Sequence, residues 1–301
     1  MEYAAENWIF HVQSSNDDKS EESSLSELMI KLLTPDNAAF DNWVKIYDPW
    51  NASEHWPPLY YACKAGLIKA TCSLLKNGVD VNIQINRNYG QMLQMALSEG
   101  HEAIAKVLLE NGADVNAQGG HYGNALQVAS YKGQEAITKL FIESGADVNA
   151  QGGHYRNALQ AALFNGHETI SKLLIENGAD VRGHYGNELQ TVLLEGHEAI
   201  AKLLIENGAD VIPQEEYGNA LQAALFWGHE AIAKVLIENG ADVNAKGGHY
   251  RNALQVASYK GQEAIAKLLI ENGADVNAQG GENGNALEVT SYKGQEAIAK
   301  L

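Results

Sequence analysis

A single stretch of sequence recurs along this chain. GNALQVASYKGQEAI begins at Gly123, returns as RNALQVASYKGQEAI at Arg251 and as GNALEVTSYKGQEAI at Gly284, with looser copies at Arg156, Gly186 and Gly218. The glycine that closes each copy falls at Gly78, Gly112, Gly145, Gly178, Gly208, Gly240 and Gly273, giving spacings of 34, 33, 33, 30, 32 and 33 residues. A fixed period of this size marks a stacked repeat architecture. One such unit cannot bury its apolar face alone, so the period constrains the fold more tightly than composition does.

Each unit is legible locally. In the copy near Gly119, Asn124 is placed as an N-cap with Gln127 three residues on, a capping-box spacing, and Ala125 is a good first helical residue. Leu126 and Ala129 supply a short apolar stripe, and Gly133 ends the helix because glycine enters the left-handed region without steric cost. The segment QEAITKLFIES predicts a second helix with Ile137, Leu140 and Phe141 on one face, stopped at Gly145. ADVNAQGGHY then reads as an extended segment and a glycine-rich turn. Helices this short are unstable alone in water, which is why neighbours must stack. On the outer face, Glu102–Lys106, Glu135–Lys139, Glu168–Lys172, Glu198–Lys202, Glu230–Lys234 and Glu263–Lys267 have the spacing of helical ion pairs, each stabilising by about 0.2–0.5 kcal/mol.

The period and letters resemble the ankyrin repeat, whose pattern is T-P-L-H-x-A, then G-H-x-E-I-V-x-L-L-L, then G-A-D-V-N. PPLYYACKAG at Pro57 matches the first part and GHEAIAKVLLENGADVNA at Gly100 the rest. In most units T-P-L-H has become N-A-L-Q, and the capping logic survives because Asn and Gln replace Thr and His. The resemblance implies an all-α ankyrin-repeat solenoid, helix–turn–helix plus a hairpin finger per repeat. It covers seven whole units over residues 54–281 and an eighth from Glu282, the array running over 54–301. Two junctions depart: DVRGHYGN lacks three residues and DVIPQEEYGN is one short and carries Pro213, so shorter or bent fingers are expected there. The chain stops at Leu301 inside the eighth unit's second helix, which predicts a bare apolar end and a piece of a longer chain.

Residues 1–53 do not repeat and predict a small N-terminal helical cap with an acidic loop. YAAENWIFHV reads as a helix and QSSNDDKSEESS as a polar, acidic loop. Ser24 and Glu27 form a capping box before Leu25, Leu28, Met29, Leu32 and Leu33, and FDNWVKIYDPW reads as a helix broken at Pro49. This segment, like the N-A-L-Q variant, is similar to fungal NACHT-type receptor-like proteins, in which such arrays lie C-terminally. That resemblance implies the sensor or regulatory array of a signalling NTPase, although no G-x-x-x-x-G-K-[ST] loop occurs here.

Composition excludes several classes. The formal net charge of −17 disfavours phosphate backbones, so no nucleic-acid partner is expected. No apolar run approaches the roughly 20 residues of a bilayer span, so no membrane partner is expected. Only Cys63 and Cys72 occur, in neither a metal pattern nor a disulfide framework, which fits a reducing, cytoplasmic setting with a nuclear one left open. His101, His167, His197 and His229 open second helices and read as helix-start hydrogen bonds, the position they hold in the ankyrin motif. His121, His154, His184 and His249 recur one per finger, and zinc would require neighbouring fingers to lean together. No nucleophile–base arrangement stands out, so neither catalytic residue, cofactor nor metal is expected.

Surface recognition is what this leaves. The two residues before each first-helix glycine differ most among the copies, while the frame stays fixed. Among them Tyr131, Lys132, Phe164, Asn165, Leu194, Phe226, Trp227, Tyr259, Lys260 and Tyr292 are the expected protein-binding set. In the ankyrin family this place faces the concave groove. The finger residues Tyr122, Tyr155, Tyr185, Tyr217 and Tyr250 are expected to stack finger on finger and line the groove rim, joined by Arg156 and Arg251, which replace the finger glycine. The expected function is a non-catalytic protein–protein interaction scaffold with an unknown protein partner, within a larger signalling protein. The alternatives are a free-standing adaptor or inhibitor, or an array attached to an enzyme domain outside these residues.

Overall fold

The structure, a computed structural model, describes residues 30–33, 38–47, 56–83, 91–182, 189, 192–193, 195–209, 219–247, 252–280 and 284–301. The capping box at Ser24 and Glu27, the expected N-terminal helix, the acidic loop and Pro49 lie outside them, as do the two irregular fingers beyond Arg182 and Ala209. The architecture is all-helical, and among the described residues no strand forms. First helices run over Pro58–Lys64, Met92–Ser98, Ala125–Lys132, Ala158–Phe164, Ala220–Trp227, Ala253–Lys260 and Ala286–Lys293. Second helices run over Ile68–Lys76, Glu102–Glu110, Glu135–Glu143, Glu168–Glu176, Glu198–Glu206, Glu230–Glu238, Glu263–Glu271 and Glu296–Ala299.

The coordinates divide into two units, Met1–Ala161 and Ala162–Leu301. In the first unit, first helices pack in the order Pro58–Lys64, Met92–Ser98, Ala125–Lys132, and second helices in the order Ile68–Lys76, Glu102–Glu110, Glu135–Glu143. In the second unit, Ala220–Trp227, Ala253–Lys260 and Ala286–Lys293 pack in series, as do the second helices from Glu168–Glu176 to Glu296–Ala299. The helix Ala38–Tyr47 begins two residues earlier than the sequence pattern suggests. It buries Phe40, Trp43 and Val44, with Phe40 and Trp43 meeting Tyr61 edge-on at ring-centroid distances of 5.6 and 5.7 Å.

The caps form as the spacing predicts. Asn124 accepts from the Gln127 backbone N–H at 2.9 Å while the Gln127 side chain accepts from the Asn124 N–H at 3.0 Å, and Asn219 and Gln222 repeat the exchange. Gly133 closes the helix at φ 75°, in the left-handed region. The second helix is buried at Ile137, Thr138 and Phe141, whereas Leu140 is only half-buried. Thr138 tolerates the interior because its hydroxyl donates to the Gln134 carbonyl at 3.0 Å.

The hairpin finger forms, closed by one antiparallel bridge in each finger described throughout, Gly119 to Gly123 and Gly152 to Arg156. Two local expectations need correction. ADVN is not extended: the Asn116 N–H donates to the Asp114 carboxylate at 2.9 Å and the Ala117 N–H to the Asp114 carbonyl at 3.2 Å, a turn that Asp favours over extension. On the outer face five lysines pair forward: Lys139–Glu143, Lys172–Glu176, Lys202–Glu206, Lys234–Glu238 and Lys267–Glu271 lie 3.8–3.9 Å apart, and none of the six expected pairs closes, although Lys300 in the last helix pairs back to Glu296 at 3.9 Å. The leading glutamate is the first helical residue, where the free amides and the positive end of the helix dipole favour it already.

Candidate protein-binding surface

The frame that holds the surface is tied together by side chains reaching one repeat away. Besides its capping role, Gln127 donates through Nε2 to the carbonyls of Ala150, Gly152 and Arg156 at 3.3, 3.1 and 2.8 Å, clamping the next finger. Gln94, Gln222 and Gln255 clamp their next fingers likewise. Asn116 forms a second tie: it donates to the Gly145 carbonyl at 3.0 Å and accepts from the Asp147 N–H at 2.8 Å. Asn82 and Asn244 do the same one repeat earlier and further along. At the first irregular junction Arg182 stands in the asparagine's place and donates to the Gly208 carbonyl through Nε at 3.3 Å. A guanidinium has no acceptor, so only the donating half of the tie is available to it.

The second-helix histidine does not cap its own helix. His101 forms no side-chain cap; its Nε2 instead lies 3.2 Å from the Lys64 carbonyl at the end of the preceding first helix. Gln262 spans the same offset, donating to the Leu225 carbonyl at 3.0 Å. The sequence signal for both is a polar residue with two-ended hydrogen-bonding capacity at a fixed place in each period, and the second partner lies a repeat away.

On this frame, left-handed glycines follow the first helices at the same place in each described repeat, so within each unit their last residues hold one register. In the first unit Tyr131 is half-buried and stacks on Tyr155 at 4.9 Å and 26°, and lies 5.2 Å from Tyr122. Tyr122 and Tyr155 themselves stack, finger on finger, at 6.4 Å and 16°. Burial, a hydrogen bond with Tyr131 and the nearness of Tyr131 and Tyr122 push the Tyr155 hydroxyl up to about 12; Tyr122 is raised by burial and then by Tyr131. His121 and His154 stack at 5.2 Å and 17°. Parallel rings send their nitrogen lone pairs along parallel planes rather than to a common point, an arrangement for stacking and not for chelation. Lys132 and Arg156 are exposed, and Arg156 takes φ 66°, the left-handed conformation its glycine counterpart Gly123 adopts at φ 96°.

In the second unit the same register carries exposed apolar surface. Phe164 is 45% exposed, Trp227 44% and Tyr292 76%, and Asn165 is also exposed. Phe226 and Tyr259 are half-buried instead. Phe226 meets Trp227 edge-on at 5.4 Å and lies under Lys260, whose Nζ is 4.3 Å from the ring centroid. Tyr259 lies under Lys293 at 3.9 Å. The half-buried rings under the next repeat's lysine, Phe226 and Tyr259, thus stand beside the more exposed rings of Trp227 and Tyr292. Leu194, Tyr185, Tyr217, Tyr250 and Arg251 lie outside the described residues.

Paired short helices, a bridged finger and a rigid inter-repeat hydrogen-bond frame define a stacked helical repeat scaffold. The chain belongs to the ankyrin repeat family. The family's three-copy model, described as ankyrin repeats, matches residues 26–119, 118–184 and 182–247, and its single-repeat model matches residues 249–281. The first match begins ahead of the first repeat read from the sequence. The crystal structure of the human ASB11 ankyrin repeat domain is similar, with a TM-score of 0.60 and 26% identity, covering 73% of this chain and 99% of that one. A curated relative, azaphilone pigments biosynthesis cluster protein L of Monascus ruber, is 34% identical over an alignment 134 residues long that covers 38% of this chain and only 27% of the relative.

Proposed function

We propose that this chain is a non-catalytic protein-recognition array that takes its partner on the face formed by the first-helix ends. The observation that carries this is the exposure of Phe164, Trp227 and Tyr292 at the ends of first helices. A hydrated position does not call for a large aromatic, and aromatics dominate protein interface energetics. The frame supports the reading: a surface held by repeated side-chain clamps loses little entropy when a partner docks. In the first unit Tyr131 and Lys132 hold the same place at a first-helix end, with Tyr122, Tyr155 and Arg156 as the rim beside them; in the second unit Asn165, Phe226, Tyr259 and Lys260 hold it, with Leu194 assigned there by register and Tyr185, Tyr217, Tyr250 and Arg251 assigned to the rim.

The same proposal places the array, residues 54–301, behind a helical cap of residues 1–53 and inside a larger, cytoplasmic signalling protein of the fungal NACHT-type receptor kind. The packing of Phe40 and Trp43 on the first repeat through Tyr61 supports the cap, and the Monascus ruber relative, which extends far beyond its matched region, supports a longer protein; the receptor kind rests on the resemblance of the N-terminal segment and the N-A-L-Q variant. Among the described residues no helix is long and apolar enough to cross a membrane. The test is affinity capture from the source cells, quantified for wild type and a Phe164→Ala/Trp227→Ala variant of matched melting temperature. Proteins retained by the first and lost by the second support the face; an identical set retained by both sinks it.

A further inference from the structure

The chain carries 38 acidic and only 21 basic residues, so cations standing together on one face are a local departure from its overall charge. In the second unit the outer-face lysines are compensated: Lys202, Lys234 and Lys267 each lie 3.8–3.9 Å from a glutamate of their own helix. Lys260 and Lys293 are not: among the described residues neither forms an ion pair, and both are exposed. Each instead rests on the aromatic ring of the preceding repeat, Lys260 on Phe226 at 4.3 Å and Lys293 on Tyr259 at 3.9 Å. A ring face orients an ammonium without neutralising it, leaving N–H donors directed away from the ring. The result is two preorganised cations on successive repeats, flanked by the exposed rings of Trp227 and Tyr292.

We propose that this lysine–aromatic ladder, Phe226–Lys260 and Tyr259–Lys293, recognises an acidic segment of a partner protein bound in extended conformation. The inference rests on the reading of the first-helix ends as the binding face. Stacked helices lie about 8–10 Å apart, and an extended chain of the polyproline II type rises about 3.1 Å per residue with every third side chain on one side, so carboxylates three residues apart reach the two ammonium groups in register. An apolar side chain of the segment contacts Trp227 or Tyr292. A protein segment fits better than a nucleic acid because the chain's net charge of −17 repels a continuous phosphate backbone, whereas two spaced carboxylates address only the local cations.

The test is selection of short random peptides on the purified chain, followed by fluorescence anisotropy of the selected peptides and of a single-stranded oligonucleotide. Wild type is compared with Lys260→Gln/Lys293→Gln, Lys260→Arg/Lys293→Arg and Trp227→Ala, each checked for unchanged helicity. The proposal expects selected peptides enriched in Asp or Glu about three residues apart, weakened about tenfold by the glutamine pair, weakened by added salt and restored by the arginine pair. Peptides without acidic enrichment that bind the glutamine pair normally but lose affinity on Trp227→Ala overturn the ladder and leave the binding face standing. Peptides indifferent to all the variants, or no selected peptide, overturn both. Tighter binding of the oligonucleotide than of any peptide overturns the ladder's assignment to protein.

Discussion

The side-chain amide of Gln127 donates to the main-chain carbonyl of Arg156 at 2.8 Å, a bond that spans almost one repeat period. Gln127 is fully buried, so its amide has no water to fall back on. Gln127→Glu places a carboxylate against three carbonyl oxygens that need a donor. It is expected to destabilise the chain by about 1–3 kcal/mol. Thermal unfolding of the variant checks this; an unchanged melting temperature removes Gln127 as a clamp.

The Asn116 tie separates donor from acceptor. Asn116→Asp keeps the acceptor for the Asp147 N–H but loses the donor to Gly145 and adds a charge beside Asp114. The site is exposed, so the expected loss is only about 1 kcal/mol. Because part of it is repulsion between carboxylates, added salt should narrow the gap between variant and wild-type denaturation midpoints. A gap that widens with salt contradicts the account.

Trp227, Phe226 and Leu236 separate surface from interior. Trp227→Ala is expected to change the melting temperature little, since the indole is 44% exposed at the end of its helix. Phe226→Ala removes the seat of Lys260 and an edge contact with Trp227, at an expected cost of about 1 kcal/mol. Leu236 is fully buried, and Leu236→Ala is expected to cost about 2–5 kcal/mol. Denaturant midpoints of the three variants should fall in that order, and a Trp227 variant as unstable as the Leu236 one would place the indole in the core.

The finger stack is expected to be sensitive to alkali. The Tyr155 hydroxyl is held at about 12, above the ordinary tyrosine value near 10. A raised folded-state value favours the neutral phenol, so its contribution to stability is whole below pH 10 and is lost as pH rises toward 12. Ultraviolet titration of tyrosinate should show a late-ionising group that Tyr155→Phe removes. Its persistence in that variant assigns the signal elsewhere.

Burial pushes the Cys63 thiol up to about 12, against the opposing hydrogen bond with Thr71, whereas Cys72 is only half-buried. Thiolate is the reactive form, so Cys63 should resist a disulfide-exchange reagent in the native chain and react on unfolding. Mapping the modified residue in native protein checks this, and prompt labelling of Cys63 contradicts it.

The sequence by itself determined the ankyrin repeat, its register and the boundaries of its helices. The Asn124–Gln127 cap and the Gly133 stop act within a few residues of one another, so their spacing in the chain is their spacing in space. Tertiary structure decided everything that crosses a repeat: that Gln127 reaches the next finger, that His101 turns back to Lys64 rather than capping its own helix, that Lys260 covers Phe226 while Trp227 is exposed. A period states that repeats stack. The offset at which one slides over the next, and therefore which side chains meet, follows only from packing the helices against each other.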